Sequence, residues 1–138
     1  MNLESYLIME EKIEEKIVKT IPLANDLTLE VLDVSKKISE DAFQVNMTAR
    51  VIIPVIASLF PAETLTKTSL EEILSKVGPT ATFEHQKGRN FIMAPDKDKV
   101  FDHLVDTFME TLLPYVSKPY FPGKYILKVY QEKAKAIY

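Results

Sequence analysis

The densest set of side chains that could bind a ligand surrounds Gly88. It consists of His85, Lys87, Arg89 and Asn90. An arginine offers a planar fork of donors and a lysine a mobile charge, so the set could recognise an anion. A histidine beside Arg89 would have a lowered pKa and stay neutral, and no nucleophile stands next to it. The set is therefore a candidate ligand-binding site, and the alternative is that it is only the hydrated tip of a hairpin.

A second set of polar side chains is a row of carboxylates. Asp98, Asp102, Asp106 and Glu110 recur every four residues, with His103 among them. On a helix this spacing places the carboxylates on one face. Helical di-metal centres need Glu-x-x-His pairs from two helices, and the sequence has no such pair. We therefore predict no metal site and no cofactor, and we interpret the row as a solvated helix face.

A row of lysines lies further along the chain. Lys124, Lys128 and Lys135 share one helical stripe, so they could neutralise the carboxylate row within the chain or across a homodimer. Tyrosines interleave with the lysines, a pattern found on some nucleic-acid surfaces. Because tyrosines at this spacing are more often half-buried and the net charge of -3 opposes a polyanion, nucleic-acid binding is not expected.

Composition sets the class of protein. The chain of 138 residues fits one globular domain over 1–138, with 46% hydrophobic and 27% charged residues. It contains no cysteine, which excludes disulfides and thiolate sites and predicts a cytoplasmic location. The longest uncharged run, 51–62, contains two prolines and is too short to span a bilayer, so we expect no membrane segment.

The clearest strand covers 43–53, where apolar and polar residues alternate with a period of two. Its polar row is a candidate interaction surface, either the hydrated face of a sheet or a dimer surface: Gln44, Asn46, Thr48 and Arg50. The segment 27–34 is the predicted partner strand, with 35–41 as the connecting loop. Because the apolar residues of 27–34 change parity after Val31, we expect a bulge there or cover on both faces.

The segment around Gly88 is predicted to be the turn of a second hairpin. A three-residue loop at 86–88, with Gly88 in the left-handed conformation, places Phe83 opposite Phe91. This register keeps the apolar residues on one face, whereas a two-residue loop would place Phe83 opposite Ile92. We therefore expect Phe83 and Phe91 to be cross-strand neighbours.

Four helices are predicted. Apolar spacing indicates the first over about 2–19, and Ser69 with Glu72 forms a capping box at the start of the second, which ends at Gly78. Asp96 is the expected N-cap of the third, which kinks or ends near Pro114, and the fourth follows the turn 117–123 to the C-terminus. The segment 54–68 could prolong the strand or form a helical turn.

These elements predict an α+β fold in the order α-β-β-α-β-β-α-α. Two hairpins would form an antiparallel sheet of about four strands, with helices packed on at least one face. The sequence shows no internal repeat that would indicate a solenoid.

Three stretches of the chain resemble a family of small uncharacterised bacterial proteins. They are "DVSKKISEDAFQVNMTARVIIPV" at 33–55, "FEHQKGRNFI" at 83–92 and "LLPYVSKPYFPGKYILKVY" at 112–130. The resemblance implies a bacterial origin. Because that family has no assigned activity, the resemblance implies no functional residue.

The sequence as a whole indicates a small cytoplasmic protein that acts by binding, to a protein partner or to itself, without catalysis. One alternative is an enzyme that binds a small molecule or anion through His85 and Arg89, but an enzyme needs a converging acid-base or nucleophilic pair. Another alternative is a chaperone-like dimer that presents a sheet face to a client, which is an analogy of shape.

Overall fold

The computed structural model describes residues 16–135. The predicted first helix, 2–19, falls mostly outside this range, and only 16–19 lie inside it. These residues belong to strand β1 (Lys16–Pro22), so the predicted end of that helix was wrong. Ile17, Val18 and Ile21 are β-branched and favour a strand, and β1 gains main-chain partners by pairing antiparallel with the next strand.

The strands form one curled antiparallel sheet. After β1 the strands are β2 (Thr28–Asp33), β3 (Lys36–Lys37), β4 (Ala42–Pro54) and β5 (Thr80–Met93). Strand β4 lies in the middle, with β2 and then β3 along one edge and β5 along the other. Strand β1 borders β2. The α+β class and the antiparallel sheet are therefore confirmed.

The predicted hairpin between β2 and β4 is present, with Leu29 opposite Val51. Strand β3 continues the register of β2 along β4 after a short break, so the connection is shorter than the predicted loop 35–41. At the break the Ser35 hydroxyl accepts a hydrogen bond of 3.0 Å from the backbone N–H of Asn46. The Ser35 side chain thus replaces one backbone hydrogen bond between the strands, and the chain keeps its direction across the break.

Both faces of β2 carry buried apolar residues. Leu29 and Val31 belong to the main core, and Leu32, on the other face, is only 1% exposed. Cover on both faces is therefore the correct explanation for the change of parity in 27–34. The register shift in this part of the sheet lies in β1, between Ile17 and Lys19.

The predicted second hairpin does not form, so the predicted order of elements was also wrong. Residues 80–93 are one continuous strand that pairs with β4 from Pro54 opposite Thr80 to Ala42 opposite Met93. Phe83 consequently lies opposite Val51 and not opposite Phe91. A hairpin would have paired two short halves of this segment, whereas β4 offers a backbone edge of 13 residues and satisfies more main-chain groups.

Strand β5 contains a bulge near its end. The register shifts by one residue between the pairs Val45–Arg89 and Phe43–Ile92, which leaves an extra residue in β5. Phe91 has a φ of 55°, a left-handed conformation that is uncommon for an aromatic residue, and its side chain is 76% exposed. The bulge therefore directs Phe91 away from the core.

The described helices are α1 (Ala62–Lys67), α2 (Leu70–Val77), α3 (Lys97–Thr111), α4 (Leu113–Val116) and α5 (Phe121–Lys135). Because α1 follows a short 3-10 turn, the segment 54–68 takes the helical alternative. The Ser69 hydroxyl accepts a hydrogen bond of 3.1 Å from the Glu72 N–H, and Gly78, with a φ of 94°, ends α2. The predicted start and end of this helix are confirmed.

The third predicted helix is divided into α3 and α4. Asp96 occupies the N-cap position of α3, but its side chain makes no capping hydrogen bond. Helix α3 ends at Thr111, close to the predicted end, and Pro114 lies in the first turn of α4. A proline is tolerated there because a first-turn N–H has no intrahelical partner.

The helices pack on one face of the sheet, and the core lies between them. Alternate residues of β4 supply its floor, and the helices supply its cover with large apolar side chains: Ile73, Phe101, Phe108, Phe121 and Ile126. Helix α3 packs on β4 and β5, whereas α5 packs mainly on α2. Within residues 16–135, no helix has the length and apolar character needed to cross a membrane.

Candidate functional site

Alternation along β5 divides the predicted ligand-binding set between two faces of the sheet. His85, Lys87 and Arg89 line a groove on the helix side. Asn90 lines the opposite face together with Gln86. This separation follows from the period of two along a strand, which a hairpin tip would not impose. The four residues therefore do not form one site.

The face opposite the helices is an open concavity of about 1000 Å³, which we call the polar face. Its described lining comes from the strands and the break between β2 and β3. Four carboxamide side chains contribute to it: Gln44, Asn46, Gln86 and Asn90. Lys36 and Arg50 add positive charge, and Glu84 adds one carboxylate. Because a carboxamide both donates and accepts hydrogen bonds, this surface suits a ligand that offers both kinds of group.

One end of the polar face is ordered by a small network. Arg50 lies opposite Glu84 across the ladder, and its Nε donates to Glu84 Oε1 at 3.3 Å. The Gln86 side chain donates from Nε2 to the other carboxylate oxygen at 3.4 Å. Glu84 is thus held between two neighbours, which fixes three side chains of the surface in position.

The centre of the polar face depends on Asn46 and Gly88, which lie opposite each other. The Asn46 carboxamide donates to the carbonyl oxygen of Val34 at 3.4 Å. A Cβ at position 88 would overlap the Asn46 Oδ1 atom. Gly88 does not have a positive φ, so its predicted role in a left-handed turn was wrong. The glycine instead allows the Asn46 side chain to lie close against β5.

The predicted interaction row on β4 is only partly accessible. Gln44, Asn46, Thr48 and Arg50 share one face, as their alternation requires. The Thr48 side chain, however, is 3% exposed, whereas the other three are half-buried. A partner can therefore contact three of the four residues, and Thr48 belongs to the buried part of the sheet.

A second concavity, of about 610 Å³, lies between β5 and α3, and we call it the histidine groove. His85, Lys87 and Arg89 form its strand wall, and His103 and Thr107 stand on its helix wall. Burial, and after it the charge of Lys87, lowers the pKa of His85, so this imidazole is neutral at pH 7. The predicted direction of the shift is right, but burial and Lys87 cause it rather than Arg89.

The carboxylate row on α3 and the lysine row on α5 are both exposed. Between described residues, no ion pair joins the two rows, and Lys124 instead lies over the Tyr120 ring at 4.6 Å. The predicted neutralisation within the chain is therefore not seen among residues 16–135. In the same part of the chain, no group of three histidine or carboxylate side chains is arranged to hold a metal ion.

No protein-family model, curated protein or solved structure matches the chain. The function must therefore be inferred from the geometry of the two concavities.

Sequence reasoning missed the β5 half of the polar face. Glu84 and Gln86 were assigned to a hairpin, and Gly88 to its turn. Residues 84–90 are all polar or glycine, so the alternation of apolar and polar residues stops after Phe83. A period of two therefore could not distinguish a continuous strand from a polar turn in this segment.

Proposed function

We propose that the chain is a cytoplasmic binding protein, without a catalytic role, that holds a polypeptide partner on the polar face. The observation that supports this proposal is the presence of four carboxamides from two neighbouring strands on one open face. Peptide groups also pair one donor with one acceptor, so the carboxamides of Gln44, Asn46, Gln86 and Asn90 can bind them in either direction. The cytoplasmic location is proposed from the absence of cysteine.

The composition of the polar face favours a polypeptide over other ligands. Small-molecule pockets are lined mainly by apolar and aromatic side chains, and the described lining here is mainly polar. No aromatic ring is among the described lining residues, so a nucleic acid would find no ring on which to stack its bases. A polypeptide needs neither feature, because its main chain supplies the polar groups.

The chemistry of the polar face favours binding over turnover. Its one described carboxylate, Glu84, is engaged by Arg50 and Gln86. No histidine is among its described lining residues. Acid-base catalysis needs two groups that converge on a substrate, and the described lining of the polar face offers Glu84 without a histidine beside it.

The charge of the polar face indicates which partner sequences bind. Lys36 lines it without an ion pair to any residue of 16–135. A partner segment with a carboxylate opposite Lys36 would meet this cation while its main chain meets the carboxamides. We therefore expect an acidic, extended segment rather than a basic one.

A selection from a random peptide library displayed on phage tests the proposal. Peptides selected on the unmodified protein should be rich in aspartate and glutamate, and they should be lost in a selection on the Gln86→Ala, Asn90→Ala double variant. Gln131→Ala is the matched control, because Gln131 is an exposed carboxamide on α5, away from the polar face. Recovery of the same peptides on the double variant would contradict the proposed site.

A second candidate function is self-association. It is favoured by the carboxylate row on α3 and the lysine row on α5. Both rows are exposed, and no ion pair joins them among the described residues. In a two-fold dimer, the carboxylate row of one copy would meet the lysine row of the other, and the contact would occur twice by symmetry. This arrangement leaves the polar face of each copy free for a partner.

A further inference from the structure

The histidine groove gathers donors from two elements around one space. Along β5, successive residues of one face are roughly 7 Å apart, so His85, Lys87 and Arg89 form a row on the strand wall. On α3, His103 and Thr107 are one turn apart and stand on the facing wall. The residues of β5 and α3 together surround the space with cationic, imidazole and hydroxyl groups.

The charge of the groove has one sign. Lys87 and Arg89 are both exposed cations, and no aspartate or glutamate is among the described lining residues. Asp102 and Asp106 line an adjoining concavity, which shares Arg89 and His103 with the groove. Arg89 lines both spaces, and it makes no ion pair with a described residue. Its guanidinium is therefore not held by either carboxylate.

The groove also has apolar lining. Leu104, Phe108 and Leu112 line it from the helix side, and the Phe108 ring lies 5.7 Å from the His85 ring at an angle of 37°. A ligand with one anionic and one apolar group can therefore use both the cations and the apolar side chains of the groove.

We propose that the histidine groove binds a small phosphate monoester. A phosphate group carries nearly two negative charges and three acceptor oxygens, which matches one lysine, one arginine and the neighbouring imidazole and hydroxyl donors. The fork of Arg89 can bind two of the oxygens at once. The organic part of the ester lies against Phe108 and Leu112. A carboxylate has one charge and two oxygens, so it uses only part of this set.

The site does not depend on the proposed partner binding. The polar face and the histidine groove lie on opposite sides of β5, and Lys87 and Gly88 are the described residues that line both. Arg89 lines the groove and not the polar face. A substitution of Arg89 therefore tests the groove alone, and the polar-face variants can fail or succeed independently.

The test is a titration of the full chain with phenyl phosphate and with inorganic phosphate, at low ionic strength, followed by NMR. Phenyl phosphate should shift the ring signals of His85 and the amide signal of Thr107, with a Kd of about 1 mM or below. Inorganic phosphate should shift the same signals with a weaker affinity, because it lacks the apolar part. Equal affinities would overturn the assignment to a monoester.

Arg89→Gln should weaken phenyl phosphate binding by about tenfold or more, since a charge-assisted, bidentate contact is lost. Lys99→Gln is the matched control, because Lys99 is an exposed cation on α3 that lines the adjoining concavity and not the groove. Its affinity should stay within about twofold of the unmodified protein, as expected for a screened surface charge. An equal loss in both variants, or no shift of His85 by either ligand, would overturn the site.

Discussion

Phe83 lies opposite Val51 in the long ladder between β4 and β5, and its ring meets the ring of Phe121 edge-on at a centroid distance of 5.4 Å. Phe121 in turn contacts the rings of Tyr115 and Tyr125 and has no exposed surface. Phe121, the first residue of α5, thus joins this helix to β5 and to α4. This contact packs the start of α5 against β5 of the sheet.

We predict that Phe121→Ala lowers the free energy of unfolding by about 3–5 kcal/mol, as for other fully buried aromatic residues. The substitution removes the ring contacts and leaves a cavity between β5 and α5. Urea unfolding followed by circular dichroism measures the change. Phe91→Ala is the control, since Phe91 is 76% exposed and its removal should change stability by less than about 0.5 kcal/mol. Similar losses in the two variants would contradict the burial of Phe121.

The pairing of Asn46 with Gly88 leads to a prediction about coupling. Gly88→Ala should destabilise the fold by about 1–3 kcal/mol, because the added methyl group overlaps the Asn46 carboxamide. In the Asn46→Ala background the same change should be milder, since the overlapping oxygen is absent. A double-mutant cycle should therefore give a coupling of more than about 0.5 kcal/mol. Additive effects would show that the methyl group added at position 88 does not touch the Asn46 carboxamide.

The lowered pKa of His85 predicts a dependence of stability on pH. In the unfolded chain this imidazole has its ordinary pKa of 6.5, and in the folded chain burial and Lys87 lower it. Between the two values the unfolded chain binds more protons, so the contribution of His85 is complete above pH 6.5 and is lost as the pH falls through the folded pKa.

The measurement is the free energy of unfolding from about pH 7.5 to about pH 5.5, where few carboxylates titrate. The His85→Gln variant should lose less stability over this window than the unmodified protein. The other charged or titratable residues lining the groove, Lys87, Arg89 and His103, are unchanged in the variant. Identical slopes for the two proteins would contradict the assignment to His85.

The sequence was most informative where one period was uninterrupted and one face was buried. The alternation over 43–53 identified β4, and the Ser69 cap and Gly78 identified both ends of α2, because each signal is local. The hairpin around Gly88 failed because a glycine between two apolar runs is typical of a turn as well as of a close approach between strands. Whether Gly88 forms a turn or allows a close approach depends on Asn46. This residue is distant in sequence and lies against Gly88 only in the folded sheet.

The candidate site was predicted in part for the same reason. Alternation placed Gln44, Asn46 and Arg50 on one face, and composition marked His85, Lys87 and Arg89 as candidate ligand-binding side chains, which line one groove in the structure. The burial of Thr48 could not be predicted, because it depends on which parts of a sheet face are covered. The contribution of α3 to the histidine groove depends on tertiary packing, which the sequence pattern does not fix.

Self-association is predicted from the two exposed charge rows. Sedimentation equilibrium at micromolar concentration should show a species of about twice the chain mass of 15.8 kDa, and this species should dissociate as salt is added. Asp102→Lys with Asp106→Lys should abolish the association, and mixing this variant with Lys124→Glu, Lys128→Glu should restore a mixed dimer. A single species at the chain mass in low salt would rule out the dimer.

We propose that the polar face binds a polypeptide through its carboxamides. The most direct measurement is the Kd of one selected peptide, determined by calorimetry for the unmodified protein, for the Gln86→Ala, Asn90→Ala double variant and for the Gln131→Ala control. Loss of two hydrogen-bonding side chains predicts a weakening of at least about fivefold in the double variant and no change in the control. A Kd that is the same in all three proteins would show that these carboxamides do not bind the peptide.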